Sequence, residues 1–204
     1  IVNMLKEAQY PISLSQLVAK AMELLRIADA GQQAKLQNDV ADFMKLRLKN
    51  VLADAGIRYD VVDAVFVTVD DIYGVFLRAQ AVNEAVKQDM EKTIQAFVRT
   101  GNIARKAEDV QAAVEADLLA EQVEKDLCKA YEAAASKVEK EIVAQDYAGA
   151  IATLSQLAAP IDAFFDGVMV MDKDEKIKNN RLGLLKLVDN LICQVADFSK
   201  IVLA

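Results

Sequence analysis

An all-α helical bundle is the fold this 204-residue sequence predicts, and three observations point to it. Glycine and proline number only 7 and 2, too few breaks for a sandwich or barrel of many short strands. Apolar residues recur at helical spacing through most of the chain. Hydrophobic residues make up 54% and charged ones 27%, enough apolar material for a core and too little bias for disorder. The length suits one large domain, or a small domain with part of another.

Ile1 to Ala8 reads as the end of a helix closed by Tyr10-Pro11, because the residue before a proline avoids helical backbone. Ile1-Val2 carries neither an initiating methionine nor a signal pattern, which suggests a piece of something longer. Ser13 with Gln16 forms a capping box for a second helix, with Leu14, Leu17, Val18, Ala21, Leu24 and Leu25 as its stripe and Gly31 beyond its end. A third helix from about Asp39 places Val40, Phe43, Met44, Leu48, Val51, Leu52 and Ala55 on one face before Gly56 stops it. Asp60 is a candidate cap for the next, with Asp63 at its third position, although so valine-rich a run also fits a strand. Asp70-Asp71 opens a helix that continues, with a break near Asn83, to about Ala107.

Leu118 to Gln145 is rich in alanine, glutamate and lysine, the composition of a long helix. Asp146 caps its successor, where Pro160 predicts a kink. Asp172 is the candidate cap of a last helix with Ile177, Leu184, Leu185, Val188, Leu191, Ile192 and Val195 facing inward. Roughly seven or eight helices with short connections make a bundle, and residues 1–38 are expected to be the end of a preceding unit, with 39–204 the helical domain proper.

The absent residues exclude whole classes of chemistry. With 0 His, a histidine triad, an imidazole base and most zinc or di-iron sites are unavailable. Neither a P-loop nor GxGxxG occurs, so no nucleotide cofactor is expected within this chain. Cys128 and Cys193 are far apart and read as small buried hydrophobes in a reducing, cytoplasmic setting. The apolar run from Val61 to Val69, broken by Asp63, falls short of the ~20 residues of a bilayer span, so no membrane partner is expected. Carboxylate pairs such as Asp70-Asp71 fit helix caps better than acid/base partners.

Net charge is −7, unfavourable for a generic nucleic-acid binder, but its distribution is uneven. Residues 1–107 hold 14 basic and 13 acidic side chains, a net +1, and residues 108–204 hold 10 and 18, a net −8. Seven acids and only Lys125 lie between Glu108 and Asp126, a stretch expected to be solvated and turned away from phosphate.

The one basic stretch free of acids is Ala96 to Lys106. At helical pitch Arg99 and Lys106 fall about 20° apart and Asn102 about 60° from Arg99, with Met90, Ile94 and Phe97 opposite. Arg99, Asn102 and Lys106 thus share an outer face, with Ile103 near it. Arginine offers a planar donor fork for phosphate, lysine a mobile charge, and asparagine a donor and acceptor for a base edge. Such a face reads equally as an RNA contact or as an ordinary solvated helix surface. Arg181 falls within the apolar stripe of the last helix, where a guanidinium needs carboxylates. Asp162, Asp166 and Asp172 are its candidate partners, and pairing is favoured over ligand contact. Ile161 to Met171 concentrates aromatics and methionines, best explained as core packing.

Several separated motifs occur in one order: Arg58-Tyr59-Asp60-Val61-Val62-Asp63-Ala64-Val65, Asn102-Ile103 with Arg105-Lys106, Pro160 to Asp166 through Val168-Met169-Val170, Asn180-Arg181-Leu182, and Val195 to Ser199. Together they resemble the C-terminal part of the bacterial-type glycyl-tRNA synthetase beta subunit, over nearly all 204 residues. The resemblance implies a helical, DALR-type anticodon-binding domain like that of arginyl-tRNA synthetase. It implies a fragment of a glycine–tRNA ligase that is itself non-catalytic, grips tRNA-Gly, and joins an alpha subunit in a heterotetramer. ATP, Mg and glycine would then be bound on the alpha subunit, with no cofactor here. Carried over, the tRNA-binding candidates are Arg99, Asn102, Arg105 and Lys106, with Arg58, Lys178 and Arg181 as structural or further RNA-contacting residues. Val98 and Gly101 stand where basic side chains are usual, and Lys178 where arginine is. Gly101 also costs the helix about 1 kcal/mol against alanine. The competing expectation is a helical scaffold that docks a partner subunit without touching RNA.

Overall fold

The computed structural model describes residues 1–67, 69–88 and 90–203; Thr68, Asp89 and Ala204 lie outside the described residues. Among them ten α-helices and two short 3-10 turns follow one another, with no strand beyond a single bridge between Ser13 and Asp71. The helices are α1 (Val2–Glu7), α2 (Leu14–Leu24), α3 (Ala30–Asp54), α4 (Tyr59–Val65), α5 (Ile72–Val86), α6 (Glu91–Ala104), α7 (Gln122–Val143), α8 (Tyr147–Ser155), α9 (Ala158–Gly167) and α10 (Glu175–Cys193). The 3-10 turns lie at Ala116–Leu118 and Phe198–Lys200. The expected all-α bundle is the architecture found.

Side-chain caps set most helix starts. Ser13 accepts from the Gln16 amide, Asp71 from Gly74 and Asp146 from Gly149, each satisfying a donor of an open first turn. Elsewhere the local reading needs correction. α3 begins nine residues before Asp39, because Asp29 accepts from the Gln32 amide and opens the helix there. Gly31 therefore sits inside α3, and α2 ends on Arg26 in the left-handed region at φ 57°. Residue 38 falls inside α3. The stripe expected along α2 is largely uncovered: Leu14 and Met22 are buried, but Leu17, Leu24 and Leu25 are exposed, as is Phe43 on α3. The valine-rich run is helix, not strand. In α4 Val61, Val62, Ala64 and Val65 are buried together, and Asp60 lies in its first turn rather than at the cap.

Asn83 does not break α5, since its side chain is buried and accepts from the Arg58 amide at 3.2 Å; the helix stops at Val86. Pro160 begins a helix instead of kinking one. It is the third residue of α9, where the missing N–H would have no intrahelical acceptor anyway. The segment 147–167 is long and apolar enough to cross a membrane by composition alone, a longer run than the valine-rich one. Here it divides into α8 and α9, and Ile151, Leu154, Leu157, Ile161 and Phe164 are buried in the core. Asp174, not Asp172, caps α10, accepting from the Lys176 and Ile177 amides.

α10 packs along α6, α7 packs against α8 and α9, and α5 is flanked by α8, α4 and α1. Leu184, Leu185 and Val188 of α10 belong to one continuous core with Leu127, Leu154, Leu157 and Phe164. Each such side chain removed from water contributes about 1.5–3 kcal/mol of transfer free energy. Asn180, Gly183, Lys186 and Asp189 lie on one α10 edge, three residues apart, and the connection from α6 to α7 runs antiparallel along them. Asp189 binds Arg105, Lys186 donates to the Val110 carbonyl at 2.5 Å, and Asn180 exchanges hydrogen bonds with the Glu115 amide and carbonyl at 2.7 and 3.1 Å. At Gly183 any Cβ would fall on the Ala113 carbonyl oxygen.

Arg181 is buried within this core. Its Nε donates to Glu124 at 2.6 Å and its Nη1 to Asp172 and the Met169 carbonyl, both at 2.9 Å. Asp162 and Asp166 are exposed and do not pair with it; Glu124, from the stretch expected to be solvated, is fully buried instead. Replacing Glu124 with alanine should leave that guanidinium unbalanced and lower the free energy of unfolding by about 3–5 kcal/mol. Urea denaturation reads this directly, and the double variant Glu124→Leu, Arg181→Met should recover most of the loss. A Glu124→Ala midpoint equal to the parent's removes the pair from this role.

Candidate nucleic-acid interface

α6 is two-sided because its apolar residues recur at helical spacing. Ile94, Ala96, Phe97, Thr100 and Ala104 are buried, Phe97 meeting Phe198 edge-on with ring centroids 5.3 Å apart. Arg99 and Asn102 are consequently turned to solvent. Arg99 is not a loose side chain: its guanidinium carbon lies 4.2 Å from the centroid of the buried Phe165 ring of α9. The ring face attracts and positions the cation, while the residue remains exposed to solvent.

Arg105, the last residue of this turn, points elsewhere. Nε and Nη2 grip Asp189 at 3.0 and 3.1 Å, and Nη1 reaches Asp197 at 3.0 Å and the Ser199 hydroxyl at 3.4 Å. The hydrogen bonds to Asp189 hold the guanidinium proton more firmly than usual. Burial pushes the Asp197 carboxyl up, but the Ser199 hydroxyl and Arg105 outweigh it and hold it below the ordinary value. Gly101 makes this bridge possible, since a Cβ there would come 2.8 Å from an Asp189 oxygen and 3.3 Å from Arg105.

Lys106 lies one residue beyond the cap of α6 and is exposed. It shares the rim of a cleft of about 550 Å³ with Lys178 of α10, whose ammonium is 2.6 Å from Glu175. The remaining cationic candidates lie away from this face. Arg58 is bound to the buried Asp60 at 2.6 Å and to the Val202 carbonyl at 2.8 Å, tying α4 to the end of the described chain. Burial raises the Asp60 carboxyl, but Arg58 and the amides of Val202 and Val61 bring it net below its usual value. Arg181 is interior. Of the seven residues singled out, Arg99, Asn102 and Lys106 stand on the outer surface with no carboxylate bound among the described residues, Arg58, Arg105 and Lys178 are ion-paired, and Arg181 is enclosed.

Phe165, Asp189 and Glu124 were not foreseen as partners of the three arginines. Phe165 and Glu124 lie 66 and 57 positions from theirs, so no local spacing links them. A polar side chain at a core position, as at Asp189, was the one available signal.

Residues 93–200 match the family described as the DALR anticodon binding domain, and residues 1–67 match the glycyl-tRNA synthetase beta subunit. This chain belongs to the glycyl-tRNA synthetase beta subunit family and carries its DALR domain. It is 39% identical to a glycine–tRNA ligase beta subunit of Syntrophomonas wolfei over 166 residues, 80% of this chain and 24% of the relative. It is 33% identical to those of Halothermothrix orenii over 207 residues and of Clostridioides difficile over 204, covering 100% and 99% of this chain and 29% of each relative. The chain thus spans less than a third of the length of these relatives.

The two thiols differ from the expectation of small buried hydrophobes in one respect. Cys128 is buried, but Cys193 is half-buried, accepting from Arg105 at 3.2 Å and donating to Asp189 at 3.7 Å. Burial, with Asp189, pushes its pKa up to about 11 despite Arg105. Because the thiolate is the reactive form, Cys193 should alkylate slowly at pH 8 and half-maximally only near pH 11. Iodoacetamide labelling mapped by mass spectrometry across pH 7–11.5 tests this, and rapid labelling at pH 8 in the folded chain refutes it.

Proposed function

We propose that this chain binds the anticodon arm of tRNA-Gly within a glycine–tRNA ligase, through the outer face of α6. One observation carries the reading: the residues matching an anticodon-binding family present Arg99, oriented on Phe165, beside Asn102 and Lys106 at the surface. The phosphate contacts come from Arg99 and Lys106, and Asn102 is placed for a base edge or ribose hydroxyl. Arg105 acts differently from the expected direct contact. It holds the turn carrying Lys106 against α10, a positioning role. In this assignment the chain contributes grip, in the cytoplasm, while an alpha subunit with ATP, Mg and glycine forms the ester in a heterotetramer; its similarity to glycine–tRNA ligase beta subunits supports the ligase setting.

The double variant Arg99→Glu, Lys106→Glu should weaken tRNA-Gly binding at least tenfold and flatten the log–log salt dependence by about 1–2. Filter binding at several salt concentrations measures both, with thermal melting to establish that the variant folds. Unchanged affinity and salt slope reject this face as the contact.

A second reading is favoured at the other end of the molecule, where Leu24, Leu25, Phe43 and Leu46 are exposed. That end docks protein, and the alpha subunit is the partner the relatives' family suggests. Retention of an alpha subunit by a chain that shows no preference for tRNA-Gly would favour this reading as the chain's main role.

A further inference from the structure

Two of the motifs that carry the family resemblance, Arg58 to Val65 and Val195 to Ser199, take no part in the α6 grip, yet the structure binds one to the other. After α10 the chain forms a short strap, residues 197–202, whose 3-10 turn at Phe198–Lys200 packs on both α4 and α6. The Asp197 amide donates to the Ala64 carbonyl of α4 at 2.8 Å. Further along, the Val202 amide donates to the buried Asp60 at 2.8 Å, and Arg58 donates to the Val202 carbonyl at 2.8 Å. Between these points Phe198 lies edge-on to Phe97 of α6, and Ile201 is buried.

The same strap reaches the end of α6. One Asp197 oxygen accepts from Nη1 of Arg105 at 3.0 Å and from the Ser199 amide and hydroxyl at 3.2 and 2.6 Å. The opposite edge of that guanidinium is held by Asp189 of α10. Arg105 is therefore bound from α10 and from the strap at once, and Lys106 is the next residue. With the strap docked, the turn carrying Lys106 is fixed on two sides. With the strap lifted, Arg105 keeps α10 alone, and Lys106 gains freedom that it must lose again on meeting a phosphate. Lifting is local: from Asp197 to Val202 only Phe198 and Ile201 are buried, so the strap opens at less cost than a core helix melts.

We propose that residues 197–202 act as a latch, whose docking on Asp60 and Ala64 of α4 and the binding of RNA on α6 favour each other through Arg105. The inference rests on the anticodon-arm reading above. Asp60, Asp197 and Ser199 are then positioning residues for the grip, with no contact to RNA of their own. Coupling between two binding events is reciprocal, so bound RNA must close the strap by the same factor by which the closed strap raises RNA affinity.

The test uses the full 204-residue chain and a tRNA-Gly transcript. Hydrogen exchange read by mass spectrometry should show bound RNA slowing the amides of 197–203 about three- to tenfold, together with protection of α6. Val202→Pro deletes the amide that donates to Asp60. Ile201 accommodates it, because φ −73° and ψ 127° are the extended backbone that a residue before proline adopts. That variant should bind tRNA-Gly three- to tenfold more weakly by filter binding, with thermal melting to establish its fold. Arg105→Lys keeps the charge but lacks the fork that bridges two carboxylates. In that background Val202→Pro should cost no further affinity, and RNA should no longer slow the strap. If RNA protects α6 in the parent but leaves exchange at 197–203 unchanged, the latch is overturned and the grip stands, whether or not Val202→Pro folds. Equal loss from Val202→Pro in both backgrounds makes the strap a merely structural element and overturns the proposal. Strap protection that persists in Arg105→Lys assigns the strap a direct RNA contact and overturns it as well. A parent chain that binds no tRNA removes both readings.

Discussion

Arg181 enters the interior as a full positive charge, and the arrangement of the C-terminal helices follows from where that charge is neutralised. A guanidinium buried without a carboxylate is far costlier than any single apolar contact is favourable, so α10 can occupy the core only if Glu124 and Asp172 come to it. Glu124 is also the third residue of α7, and its second oxygen accepts from the Glu121 amide at 2.6 Å in the capping box of that helix. One carboxylate therefore starts α7 and anchors α10. Asp172, with the Met169 carbonyl, brings the connection after α9 to the same guanidinium. Three elements distant in sequence meet at one side chain.

With α10 so placed, its opposite edge is available to hold the connection from α6. Gly183 admits the Ala113 backbone, and Lys186 and Asn180 bind main-chain groups, so this edge is reserved for backbone and not for an apolar partner. The acidic charge of that connection is the corollary. A segment lying on a helix by its main chain leaves its side chains in water, and Glu108, Asp109, Glu115 and Asp117 are all exposed. The cleft is a by-product of the same geometry, walled on one side by a connection that cannot collapse into it.

The division of labour among cations has a common cause. Arg58 and Arg105 both lie just outside a helix and bind carboxylates that burial would otherwise destabilise, Asp60 and Asp189. Each is a fastener for the C-terminal segment, through the Val202 carbonyl and through Asp197 with Ser199. Among the described residues Arg99 forms no ion pair and lies over the face of Phe165. An aromatic face orients a guanidinium without neutralising it, which leaves its charge available to an anion. Gly101 shows the same economy from the opposite direction. Helix propensity counts it as a defect, but a Cβ there would press against the Asp189 carboxylate that Arg105 binds.

Helical periodicity and local caps determined a great deal of this protein on their own. The caps at Ser13, Asp71 and Asp146, the left-handed stop at Gly56, the solvent face of α6 and the inward stripe of α10 all involve residues within a turn of one another, where spacing alone decides geometry. Two helix starts were misplaced where two carboxylates competed for one local role. Asp29 or Asp39, and Asp172 or Asp174, are equally good caps in a local reading; packing of α3 and the demand of Arg181 chose between them. Partners of buried or anchored charges were likewise invisible, because Arg181–Glu124, Arg105–Asp189 and Arg99–Phe165 join residues brought together only when the helices pack. Local spacing thus settled which residues form helices and which faces turn outward, while the tertiary structure alone decided which cations are fasteners and which remain open to a ligand, since that depends on a carboxylate arriving from a distant part of the chain.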